Sequence, residues 1–237
     1  IDGSFTADGP IEISTNAITI DTSGSNGAIN MQGTVDGGQD LTLLSGTGAI
    51  TFTGTVGGTT QLTALTVNST GSGNISIKDI GDTNTVGVSG STAIGNNTTN
   101  TLDLGGTTYK TNAATYTAKV GENIDLTGGS TTTFTTSSDA VTFGTATVEM
   151  GDDSHLVIDT STGGGALISL APGVMGTSSE NITLTAGTGA VTIGAIGTGT
   201  EIADVTITST GTTTFNGDFT GGTLKNTGPV VVGADIN

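Results

Sequence analysis

Apolar residues recur two apart along almost the whole chain. Pairs such as Ile18/Ile20, Ile29/Met31, Leu41/Leu43, Ile50/Phe52 and Leu65/Val67 continue through Leu102/Leu104, Ile124/Leu126, Val141/Phe143, Leu156/Ile158, Ile182/Leu184 and Val205/Ile207. A period of two belongs to a strand that buries one face and exposes the other. Gly, Asn, Ser and Thr dominate between the pairs and supply turns. No stripe at helical spacing interrupts them. The strands are short, and every second pair returns after a step in the low twenties of residues: Ile18 to Leu41, Leu41 to Leu65, Ile50 to Ile75. A step of that size is one turn of a solenoid. A propeller would need four strands per blade and a recurring aromatic signature, which is missing. The pattern predicts an all-β fold, a parallel β-helix (β-solenoid) with turns of roughly 20–25 residues. Its crossovers are expected to be right-handed, the general preference for parallel strands.

Composition sharpens this picture. The chain holds 53 Thr and 41 Gly but only six Phe, two Tyr and no Trp. Its core must therefore be narrow and lined by Ile, Val, Leu and an occasional Phe, with Thr, Ser and Asp outward. Low hydrophobicity combined with charge keeps some chains unfolded. Here charged residues are 11%, and the many β-branched residues favour strands. Corners need unusual backbone angles or close approach. The corner candidates are Asn26-Gly27, Gly57-Gly58, Gly105-Gly106, residues 163–165 and Gly221-Gly222. The rival architecture is a pair of β-sandwiches. Residues 90–106 (GSTAIGNNTTNTLDLGG) would then be the linker, although they fit equally a loop extruded from one turn.

A longer repeat lies over the short one. Residues 41–71 read LTLLSGTGAITFTGTVGGTTQLTALTVNSTG and residues 182–211 read ITLTAGTGAVTIGAIGTGTEIADVTITSTG. Both run through an apolar pair, SGTG or AGTG, a second pair, a glycine turn and a third pair ending in STG. The match extends back to AITIDTS at 17–23 and LVIDTS at 156–161. Residues 1–237 are thus expected to be one β-helix segment of a longer chain, with internal copies at about 17–155 and 156–237, the second truncated. The combination I-D-T, L-T-L-x-x-G-T-G-x-I-T-F and V-G-G-T-T-x-L-x-x-L-T-V resembles the repeat region of filamentous-haemagglutinin-like large bacterial surface adhesins. That resemblance spans 17–71 and 156–211. It implies a right-handed parallel β-helix, export from the cell and a role in adhesion or surface structure, with no catalytic motif to carry over.

Charge narrows the partners. Twenty-one acidic residues face four lysines and no arginine, for a net charge of -17. Phosphate backbones and anionic lipid surfaces would be repelled, which argues against nucleic-acid binding. No apolar run has the length of a membrane span, so membrane insertion is not expected. Without cysteine there is neither a disulfide nor a Cys-based metal site. Calcium, bound by hard carboxylate oxygens, is the one structural ion the residues leave open, with Asp79, Asp82, Asp152 and Asp153 as candidate ligands. Otherwise no cofactor is implied. His155 follows Asp152, Asp153 and Ser154, yet a catalytic triad draws its partners from distant segments. The T-x-T pairs Thr51/Thr53, Thr131/Thr133, Thr206/Thr208 and Thr212/Thr214 have the spacing of an ice-binding array. Sequons at Asn68, Asn74, Asn96, Asn97 and Asn181 are expected by chance in so Thr-rich a chain. Three function classes follow. The first is a non-catalytic structural or adhesive protein, extracellular or at the bacterial surface. It would self-associate or join flanking coils and contact host-cell or glycan surfaces. The second is a carbohydrate- or ice-binding module. The third, a polysaccharide lyase or hydrolase, lacks the cations that acidic glycans require.

Overall fold

The structure is a computed structural model that describes residues 1–137 and 139–233. The chain is all-β and winds into a parallel β-solenoid of about nine turns. Each turn crosses three faces, called here A, B and C in chain order. Face A begins with Phe5–Ala7, Ile29–Met31, Ile50–Phe52 and Ile75–Ile77; face C begins with Ile18–Asp21, Leu41–Leu44 and Leu65–Asn68. All pairings between turns are parallel. The register sets Ile29 against Ile50 after 21 residues, and Ser76 against Asp103 after 27.

The parallel register converts the period-two pairs into columns. On face A, Ile29, Ile50, Ile75, Leu102, Ile124 and Val148 follow one another through the core, each with no exposed surface. On face C the column runs Leu41, Leu65, Thr92, Ala114, Val141, Ile168, Val191 and Thr213. No single turn encloses its own apolar residues, so each relies on the turns beside it.

Face B looks different in the two halves of the molecule. In the early turns it is reduced to Ile11–Glu12, Val35–Asp36 and the single bridging residues Val56 and Ile80. From Thr131–Ser137 onward it carries long strands, His155–Thr162, Asn181–Gly187 and Ile202–Ser209. Face A shrinks as face B grows, ending in the bridges of Val174 to Ile196 and Ile196 to Phe219. The switch falls at Thr108–Thr117, a strand that pairs with Thr131–Ser137 on face B and then with Val141–Gly144 on face C.

The long sequence repeat has a structural counterpart with an unexpected phase. Asp21 accepts hydrogen bonds from the Ser23 amide (2.8 Å) and hydroxyl (2.6 Å). Asp159 does the same with the Ser161 amide (2.9 Å) and hydroxyl (2.6 Å). The first arrangement lies at the edge between faces C and A, the second at the edge between B and C. Likewise, LTLLSGTGAITF passes from C to A, and ITLTAGTGAVTI passes from B to C. The repeat therefore falls short of a whole number of turns by one face.

The SGTG-type corner itself has a physical basis. Ser45 Oγ donates to the Gly48 carbonyl at 2.6 Å and Ser69 Oγ to the Gly73 carbonyl at 2.8 Å, both from fully buried positions. Thr22 donates to the Gly27 carbonyl in the turn before. A Cβ on Gly48 would stand 2.3 Å from the Gly27 carbonyl oxygen, so only glycine lets these turns stack.

The middle of the core is aromatic. Tyr109 stacks on Phe134 (4.8 Å between ring centres) and Tyr116 on Phe143 (5.2 Å), with edge-to-face contacts joining the two stacks. Both tyrosines are buried, against the expectation of a core without them. Tyr109 Oη accepts from the Gly106 amide at 2.9 Å and donates to the Ile77 carbonyl at 3.2 Å. Phe134 touches three of these rings, so its truncation opens a cavity among them. Phe134→Ala should lower stability by about 4 kcal/mol in urea denaturation. A loss below about 1 kcal/mol would show that the belt does not hold the middle turns together.

Candidate functional site

The residues singled out as calcium ligands lie outside the strands, at corners and in loops. Asp79 Oδ1 accepts from the Thr107 amide (2.7 Å) and the Thr108 amide (2.9 Å) of the next turn, and so joins two turns at a corner. Asp82 Oδ1 accepts from Asn84 and Thr85 within its own loop, which holds its pKa below the ordinary 3.8. Asp153 sits in the left-handed region (φ 52°) with Ser178 donating to its carboxylate at 3.4 Å, while Asp152 is exposed. Among the described residues, no group of three or more His, Cys, Asp or Glu is arranged to hold a metal ion. The local Asp-Ser-His sequence is not a triad. His155 Nε2 lies 2.8 Å from Thr183 Oγ1, and the buried Ser154 hydroxyl has no partner among the described residues. The T-x-T pairs also separate: Thr51/Thr53 lie on face A, Thr131/Thr133 and Thr206/Thr208 on face B, and Thr212/Thr214 on face C.

The register assembles an acidic column that spacing along the chain does not display. Asp103, Asp125 and Glu149 occupy the central outward position of face A in three successive turns. Parallel strands lie about 4.8 Å apart, so like charges are held at that pitch. Neighbouring side chains hold the column. Ser76 donates to Asp103 Oδ2 at 2.8 Å, Thr127 donates to Asp103 Oδ1 and Asn123 donates to Glu149 Oε2. Burial, then the charges of Glu149 and Asp103, push the Asp125 carboxyl up to about 6. Asp125, Glu149 and the sequence candidate Asp152 line one shallow groove with Thr127, Met150 and Thr177. No aromatic or cationic side chain lines this groove. Its chemistry is that of a carboxylate ladder whose outer members are held by hydroxyl and amide donors.

Face C is the opposite kind of surface. Its central outward column reads Thr19, Thr42, Thr66, Ala93, Thr115, Thr142, Ser169, Thr192, Thr214 and Val231. The flanking column contains Ala17, Ala64, Ala113, Ala140 and Ala190. Beyond Asp21 and Asp40 in the first two turns, its described outward positions carry no charge.

No protein-family model, curated protein or solved structure matches the chain. Among the described residues, no helix is long and apolar enough to cross a membrane.

The acidic column sets a pH dependence with a definite sign. Folding raises the Asp125 pKa from 3.8 to about 6, so the folded state binds the proton more tightly than the unfolded state. The burial of the Asp125 carboxylate, with the repulsion added by Glu149 and Asp103, therefore opposes folding above about pH 6 and is relieved as pH falls toward 3.8. Asp125→Asn should raise stability at pH 7 by about 1 kcal/mol, a figure discounted for solvent screening at this half-exposed site. The variant should also flatten the pH dependence of the Tm between these two values. An unchanged profile would show that the column carries no electrostatic penalty.

Proposed function

We propose that this chain is a stiff stretch of a structural or adhesive bacterial surface protein, with no catalytic role. What carries the reading is the unbroken parallel ladder of about nine turns around one continuous apolar core. It makes a rod whose length scales with turn number. The likeness of residues 17–71 and 156–211 to the repeats of filamentous-haemagglutinin-like adhesins supports the same assignment, and with it an extracellular or cell-surface location. A host-cell or glycan surface is then the outside partner. The net charge of -17 disfavours nucleic acid, and the reading invokes no membrane insertion and no cofactor.

Among the described residues, the strands of the first and last turns pair on one side only. Phe5, Ile11, Ile18 and Ile20 form an apolar mouth at one end, and Val230, Val231 and Val232 remain about half exposed at the other. Such edges are templates for further pairing. In this reading they are covered by flanking turns of the same polypeptide or by the end of a second copy. Electron microscopy of the native material should show stiff rods, filaments or an ordered surface layer. Isolated globular particles without ordered assembly would sink the assignment.

A further inference from the structure

The uncharged stretch of face C is a surface that the end-stacking above does not use. From Ala64 onward, eight strands present mostly Thr, Ser, Ala and Gly, together with Asn68 and Pro229, and with Leu167 and Val231 as the larger apolar groups. Leu167 is 38% exposed and Val231 51%. Elsewhere the rod is charged. Face A carries Asp103, Asp125 and Glu149; face B carries Lys110, Asp159 and Asp204. Asp139, Lys119 and Glu122 lie at the rim of face C rather than on its outward columns.

We propose that a second copy of this chain docks face-to-face on the neutral stretch of face C, giving a closed side-by-side dimer related by a two-fold axis. Charge selects this occupant. Two molecules of net charge -17 repel over most of their surfaces. Face A would bring carboxylates together and face B carries charges of both signs at Lys110, Lys225, Asp159 and Asp204, whereas the central column of face C brings together mostly methyls and hydroxyls. Small side chains also let two sheets approach closely, as stacked flat sheets do. The area suffices. Eight strands at about 4.8 Å by a width of about 15 Å give roughly 600 Å² per copy and about 1,200 Å² in total, the lower bound of stable interfaces. The arrangement is isologous: each copy uses the same patch and the assembly closes at two. The charged rim matches the polar border of known interfaces.

Sedimentation equilibrium of the purified chain tests this. The expected result is a dimer of 23.0 kDa protomers, half-formed on the order of 10 µM and strengthened by salt. Stacking through the ends would instead give open-ended species that keep growing with concentration, so failure of the two ideas is distinguishable. The double variant Thr142→Lys/Thr192→Lys should be monomeric at ten times that concentration with unchanged circular dichroism. Because the chain has no cysteine, Thr142→Cys offers a readout independent of that variant's folding. It should form an intermolecular disulfide under mild oxidation, while Thr51→Cys on face A should not. A wild-type monomer at high concentration and high salt overturns the proposal. So does a monomer whose Thr142→Lys/Thr192→Lys variant loses binding to a crystalline glycan or loses thermal hysteresis, because the face would then serve a solid surface.

Discussion

Everything in this molecule depends on the stacking of one turn on the next in parallel register. A single turn buries nothing by itself: its apolar residues face a lumen that only the turns beside it close. The stacking dictates Ile, Val and Leu columns inside, glycine where one turn's carbonyl presses on the next, and buried Ser or Thr hydroxyls that satisfy corner carbonyls. It also imposes a penalty outside. Any charged residue at an outward position meets its counterpart about 4.8 Å away, so sequences that repeat charge at turn spacing create columns of like charge. Thr, neutral and a good strand former, avoids that penalty, which gives its abundance a physical basis.

The two tyrosines and the middle phenylalanines serve a different need. The long strand Thr108–Thr117 turns the B–C edge without a glycine corner, and the cross-section changes there from one pattern of long faces to the other. Four rings in stacked and edge-to-face contact fill that transition. Elsewhere the core is mostly aliphatic, with single buried rings at Phe52, Phe215 and Phe219.

The solenoid was legible in the sequence because most strands bury two residues, and the spacing Ile18, Leu41, Leu65 is the register itself. The third face was not, because in the early turns it offers only lone residues such as Val56 and Ile80, which have no period-two partner. The acidic column was missed for a related reason. Its members lie 22 and 24 residues apart and become neighbours only once the register is known. A signal existed all the same: Leu102-Asp103-Leu104, Ile124-Asp125-Leu126 and Val148-Glu149-Met150 are three consecutive apolar pairs with an acid between them. The aspartates picked out by adjacency, Asp79 with Asp82 and Asp152 with Asp153, proved to be corner and loop residues. Proximity along a chain says little about proximity across turns.

The one-face offset between the two copies of the repeat has a geometric consequence for any surface borne on the corner motif. The same Asp-Thr-Ser corner points one way in the first half of the rod and roughly a third of a revolution away in the second. A polypeptide that kept adding such copies would bring its corner back to the starting side after every three copies. The corners would then step around the shaft, presenting themselves in three directions in turn. Such a fibre would carry its corner on each of three sides, and whatever recognised the corner could approach from any of them.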